Sequence, residues 1–132
     1  MELRSDANTC FVCGPENPAG LQLTFELKDD ICVSEFTPGP NHGGYENMTH
    51  GGLIFSVLDD VMANWAYLQG IRVFTAKCEI RYKAPLPVGT KVFLKGECLK
   101  QKARLMQMKG TMTRADNGEV VAETDASFMI DR

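Results

Sequence analysis

Apolar and polar residues alternate from Leu21 to Lys28, with Leu21, Leu23, Phe25 and Leu27 on one side and Gln22, Thr24, Glu26 and Lys28 on the other. A period of two belongs to a half-buried strand. Asp29–Asp30 ends it, and Ile31–Thr37 reads as its hairpin partner. A Pro/Gly-rich loop, Pro38–Asn47, interrupts the rhythm. From about Gly52 to Gln69 the chain is apolar almost all round, which predicts a buried helix stopped by Gly70. The period then returns to two. Phe74, Ala76, Cys78, Ile80 and Tyr82 fall on one face of a strand, with Thr75, Lys77, Glu79, Arg81 and Lys83 on the other, until Pro85 and Pro87 break it. Lys91–Gln101, Ala103–Arg114 and Glu119–Ile130 read as three more strands, the last two joined by the turn signal Asp116–Asn117–Gly118. Residues Met1–Ala19 carry no period and contain Gly14, Pro15 and Pro18, so they read as an irregular arm before a single domain over residues 20–132. One long buried helix and a run of antiparallel strands predict an α+β fold, a curled sheet of about five to six strands wrapped around the helix.

Composition narrows the partners. The 132 residues are enough for one domain with a real core. Fourteen basic against 17 acidic residues, with no basic stripe, argue against nucleic acid. Nothing approaches a membrane span, and the first ten residues lack the features of a signal peptide, so a cytoplasmic protein is expected. The five cysteines are scattered, and free thiols are the expectation, with Cys78 and Cys98 as small core residues. Cys10–Phe11–Val12–Cys13–Gly14 has the spacing of half a zinc knuckle. A structural zinc site needs four ligands, no second such pair exists, and His42 and His50 match no finger spacing, so no metal is expected. A redox pair is disfavoured because Pro15 and Pro18 oppose the helix such a motif opens.

The candidate chemistry sits at the start of the helix. His50–Gly51–Gly52 precedes the run Leu53–Leu58, and two glycines there suit an entry turn where the backbone must approach something closely. The first free N–H groups of the helix form a small site for an anion or a carbonyl. Asp59 follows where water is scarce, and a buried carboxylate needs a partner or a job. Steps of 100° put Asp60 on a polar strip with Ser56, Asn64 and Tyr67, facing solvent or another subunit. Asp59 lies at the edge of that strip among Ser56, Ala63 and Ala66, where it either pairs with a cation or meets a ligand. Gly52 and Asp59 are seven positions apart, roughly 10 Å along a helix. A reacting carbonyl needs donor and base each within about 3–3.5 Å. Two antiparallel copies of the helix can satisfy this and one cannot, so a homodimer is expected.

These residues carry a resemblance to the hotdog-fold acyl-CoA thioesterases, specifically the phenylacetic-acid-pathway (PaaI-like) branch. His50–Gly51–Gly52 with Asp59 nine positions after the His resembles that branch's motif, and Ile80–Arg81–Tyr82–Lys83–Ala84–Pro85 resembles its companion strand. The resemblance runs from about Gly20 to Ile130. It implies a thioesterase that hydrolyses acyl-CoA without a cofactor, as a homodimer assembling into a tetramer. It casts Asp59 as base or nucleophile and the Gly52 N–H as the donor polarising the thioester carbonyl. It casts His50 as ordering the turn and Thr75 as holding the water; Thr75 is equally a strand residue chosen for β propensity. Gly51, Asn47 and Lys83 are the candidate substrate contacts. Some relatives carry an asparagine six residues before the His; here that position is Gly44, and Asn47 is the nearest substitute.

Other candidates have blander alternatives. His42 either lines the acyl pocket or caps its turn. Phe55, Met62 and Trp65 are core by spacing before they are pocket wall. Lys83, Lys100, Lys102 and Arg104 either meet coenzyme A phosphates or form a solvated face. Two competing functions remain: a hotdog hydratase, which needs a His after Asp59 that the helix lacks, and a non-catalytic acyl-CoA sensor, against which the presence of Asp59 speaks.

Overall fold

Six antiparallel strands curl around one helix in the computed structural model of the chain, which describes residues 6–131. In chain order they are β1 (Glu26–Lys28), β2 (Ile31–Phe36), α1 (Gly51–Tyr67), β3 (Val73–Tyr82), β4 (Val92–Lys102), β5 (Leu105–Arg114) and β6 (Val120–Ile130). The sheet order is β1-β2-β4-β5-β6-β3, so β1 and β3 are its edges. This is the α+β arrangement that the periodicity predicts.

The helix is buried because its apolar residues point into the sheet: Val57, Leu58, Val61 and Met62 are inaccessible to solvent. Each large side chain so buried is worth roughly 1.5–3 kcal/mol. Trp65 belongs to the same core and its indole N–H donates to the Asp30 carbonyl at 2.9 Å, tying the helix to the β1–β2 turn. Close approach of helix and sheet depends on glycine. Gly96 of β4 and Gly110 of β5 lie opposite one another in the ladder. A Cβ at Gly96 would stand 2.4 Å from the Val61 carbonyl oxygen, a backbone atom that moves only with the helix. Gly96→Ala is therefore expected to lower unfolding stability by about 1–3 kcal/mol, read from the denaturant midpoint.

Two expectations are corrected. Of the strand Leu21–Lys28, only Glu26–Lys28 joins the sheet. The Leu21 and Leu23 N–H groups donate instead to Phe11 and Val12 carbonyls of the arm, at 2.8 and 2.9 Å. The alternation of buried and exposed residues survives, since Phe25 is core and Gln22 and Thr24 are exposed. Packing against the arm buries the same apolar side chains that sheet pairing would.

The second correction concerns β3. Thr75 pairs with Phe128 and Lys77 with Ser127, so Ala76 is an extra residue without a partner in β6. Such a bulge reverses the facing of everything beyond it. Directly paired residues share a face, so Thr75 joins Cys78, Ile80 and Tyr82 opposite the buried Phe128, Ala126, Thr124 and Ala122 of β6. Phe74, expected with that set, lies on the other face and is 53% exposed. Without the bulge Thr75 would point away from the helix.

Candidate active site

His50 caps the helix. Its imidazole Nδ1 accepts the Gly52 N–H at 2.8 Å, and its carbonyl accepts from Leu53 and Ile54. The loop before it is strapped in place: the His50 N–H donates to the His42 carbonyl at 2.9 Å and the Thr49 N–H to the Leu86 carbonyl at 2.8 Å. His42 itself caps a short turn, accepting the Gly39 N–H on Nδ1 at 2.8 Å. Gly44, which stands where some relatives have an asparagine, leaves room for His50: a Cβ there would lie 3.2 Å from the His50 Cα. From β3, the Tyr82 hydroxyl donates to the Gly51 carbonyl at 2.7 Å and fixes the first turn against the sheet. The sequence showed Tyr82 only as part of a strand signature. Its contact with Gly51 joins residues 31 positions apart, which the period of a single strand does not reveal.

Asp59 lies two turns further along. The Thr75 hydroxyl donates to its Oδ1 at 2.7 Å, and its Oδ2 has no hydrogen-bond partner among the described residues. Burial pushes the Asp59 carboxyl above the ordinary carboxylate range, and the Thr75 hydrogen bond opposes that shift. Cys78 stands nearby on the same face. Its thiol is pushed up to about 11, first by burial and then by the negative charges of Asp59, Asp125 and Glu79. No cation pairs with Asp59 among the described residues.

The other expected residues are spread around this centre. Asn47 is exposed with a positive φ of 62°, and its carbonyl accepts from the Val88 N–H at 2.9 Å. Lys83 pairs with Glu123 at 3.0 Å on the outer face. The Arg104 guanidinium donates to the Ile130 carbonyl. The Ser56 hydroxyl donates back to the Gly52 carbonyl and does not reach Asp59. The arm packs over the part of the polar strip that contains Asp60, Asn64 and Tyr67. Asn64 is 3% exposed and donates to Asp60 Oδ2 at 3.0 Å, Cys10 Sγ lies 3.8 Å from Asp60 Oδ1, and Tyr67 bonds Asp6.

The cavity at the helix start and the largest cavity described both leave Asp59 out. A cavity of about 350 Å³ opens at the helix start, lined by Phe11, His42, His50, Gly52, Leu53 and Ser56 among others. A larger one of about 760 Å³ lies between β1, β2, β4 and β5, around Phe93 and Lys95. The second holds none of the groups just described.

A family model for the thioesterase superfamily matches residues 46–121. The chain is 28% identical over 102 residues to the acyl-coenzyme A thioesterase THEM5 of Mus musculus, covering 77% of this chain and 40% of that protein. It thus spans about two fifths of the length of the curated relatives it matches. A hypothetical thioesterase protein from Streptococcus pneumoniae TIGR4, crystallised with coenzyme A, has a TM-score of 0.76 at 20% identity, over 82% of this chain and 87% of that one. The same protein has been solved with single Asp→Ala and Thr→Ala replacements sixteen positions apart. The PaaI protein of E. coli, from the phenylacetic acid degradation operon, has a TM-score of 0.76 at 18% identity over 83% of each chain. These likenesses establish the hotdog fold.

Proposed function

We propose that this chain, which belongs to the thioesterase superfamily, hydrolyses an acyl-CoA thioester to the free acid and coenzyme A. The observation that carries the reading is the Asp59–Thr75 contact, a half-buried carboxylate held on one oxygen by a hydroxyl, with no partner for the other among the described residues. The two residues are sixteen positions apart, the separation of the aspartate and threonine replaced in the S. pneumoniae thioesterase.

The chemistry follows from those atoms. Thr75 fixes the Asp59 plane, and Oδ2 takes a proton from a water, or attacks the thioester carbon itself. The new C–O bond drives charge onto the carbonyl oxygen. The C–S bond then breaks and the coenzyme A thiolate leaves, taking the proton that Asp59 drew from the water. Where Asp59 itself attacked, a water then cleaves the acyl–Asp59 anhydride, which frees the acid, restores the carboxylate and supplies that proton. The donor for the carbonyl oxygen is the Gly52 N–H at the positive end of α1. That N–H is held by His50, so the carbonyl shares it or displaces the imidazole, and His50 thereby sets access to the donor. Gly51 and Asn47 border the bound thioester, and Lys83 exchanges Glu123 for a coenzyme A phosphate.

Gly52 and Asp59 remain roughly 10 Å apart along one helix, so we propose a homodimer in which Gly52 of one protomer serves Asp59 of another. The edge strand β3 supports this: it is ten residues long, has no neighbouring strand on its outer side among the described residues, and exposes Phe74 and Tyr82 by about half. Such an edge is a template for pairing. Pairs of dimers form the tetramer. No helix among the described residues is long and apolar enough to cross a membrane.

The test is release of free thiol from a panel of acyl-CoA esters of short, medium, branched and aromatic chains. Turnover of at least one, abolished by loss of Asp59, is the expected result. Tight acyl-CoA binding with no thiol release across the panel would leave only a sensor. Thr75→Val sharpens the test by removing the hydroxyl and keeping the shape. It is expected to lower kcat about 10–100-fold, and to raise the pH at which kcat/KM falls off on the acid side, because the lost hydrogen bond favoured the ionised carboxylate.

A further inference from the structure

Two thiols and a carboxylate converge outside the proposed thioesterase site. Cys10, Cys13 and Asp60 each offer a ligand atom, and all three atoms lie within 4.8 Å of one another. The cysteines stand on the arm and Asp60 on α1, fifty positions from Cys10, which is why ligand counting along the sequence stops at two. We propose that this cluster is a structural zinc site that fastens the arm to the helix.

Cys10 and Asp60 stand at the spacing of two ligands of one ion. Cys10 Sγ and Asp60 Oδ1 are 3.8 Å apart. A tetrahedral zinc with Zn–S of about 2.3 Å and Zn–O of about 2.0–2.2 Å holds such atoms at roughly 3.5–3.8 Å. The turn that carries the sulfurs is built tightly. The Cys13 N–H points at Cys10 Sγ at 3.5 Å, and the Gly14 N–H donates to the Cys10 carbonyl at 2.9 Å. A Cβ at Gly14 would stand 2.3 Å from the Cys10 backbone nitrogen, so no other residue fits this turn unchanged.

The carboxylate is oriented as well. The buried Asn64 holds Oδ2 of Asp60 at 3.0 Å, which turns Oδ1 toward Cys10. Partners that fix a ligand in this way are part of a metal site's construction. Cys13 is 6% exposed, and the three ligands border a cavity of about 180 Å³ with room for a fourth ligand, a water. Two sulfurs and one oxygen suit zinc and not magnesium or calcium, which prefer oxygen alone. Binding replaces two thiol protons with one zinc ion, and both protons leave to solvent.

The site would hold Val12 and Cys13 in the core and clamp the helix at the residue after Asp59. The experiment uses the full chain, fully reduced and stripped with chelator, titrated with zinc against a chromophoric chelator and with cobalt by absorption. One equivalent per chain, two protons released per zinc and a thiolate-to-cobalt charge-transfer band are expected. Cys98→Ser should leave all three unchanged. Cys10→Ser with Cys13→Ser should abolish binding, and Asp60→Asn should weaken it by at least about tenfold while keeping the Asn64 contact and every thiol. If the double cysteine variant does not fold, Asp60→Asn decides alone. No stoichiometric binding by the reduced protein, or binding indifferent to Asp60→Asn, overturns the proposal. Neither result bears on thioester hydrolysis, whose test needs no metal.

Discussion

Asp59→Asn should lower kcat by about 10²–10⁴-fold, the usual scale for a positioned base, while acyl-CoA still binds. The amide keeps the volume of the carboxylate and can still accept the Thr75 hydroxyl, so the loss isolates the basic, nucleophilic oxygen. Stability should move the other way. Burial raises the Asp59 pKa in the folded chain above its unfolded value. The stability linked to its proton is therefore present at low pH and lost as pH rises through the folded pKa. At neutral pH the ionised carboxylate is thus a cost to the fold, and the amide removes it. Asp59→Asn should unfold at the same temperature as the parent chain or higher, and a variant that is inactive because it has unfolded would fail this prediction at once. Asp60→Asn should lose less than about tenfold in kcat, since Asp60 faces Cys10 and Asn64 and not the Thr75 side of the helix. Equal losses in the two variants would mean that helix electrostatics, not chemistry at Asp59, governs turnover.

Mixing two inactive variants should restore activity. Gly52→Pro deletes the N–H proposed to polarise the carbonyl, together with its bond to His50, in the first turn of the helix, and should cost at least about 10²–10³-fold in kcat. Asp59→Asn lacks the other half of the site. If each site takes Gly52 from one protomer and Asp59 from another, a mixed dimer has one intact site and one doubly defective site. Random reassortment of equal amounts through a twofold interface then gives about a quarter of the parental activity. If both groups act within one chain, every site in the mixture carries a defect and no activity returns. The measurement is thiol release before and after the two variants are allowed to exchange subunits. Absence of recovery, with exchange verified by tagged chains, would sink the two-protomer site. The geometric ground is the helix itself, whose rise leaves Gly52 and Asp59 roughly 10 Å apart.

The sequence by itself determined the elements and their class. Period-two alternation marked the strands, the all-round apolar run marked a helix with Val57, Leu58, Val61 and Met62 at its buried heart, and Gly70 and Gly118 stopped or turned the chain at positive φ. The His50–Gly51–Gly52 entry and Asp59 were legible because their character is local: a cap, two glycines and a carboxylate in an apolar run. Three matters depended on the tertiary structure. Whether Thr75 faces Asp59 hinges on the one extra residue at Ala76, and a bulge is set by the register between β3 and β6, which a single-strand period does not encode. Leu21 and Leu23 pair with the arm because alternation fixes which side chains are buried, not which backbone receives the hydrogen bonds. Asp60 meets Cys10 and Cys13 across fifty positions for the same reason: helical periodicity assigns a residue to a face, and only the packed chain decides what covers that face.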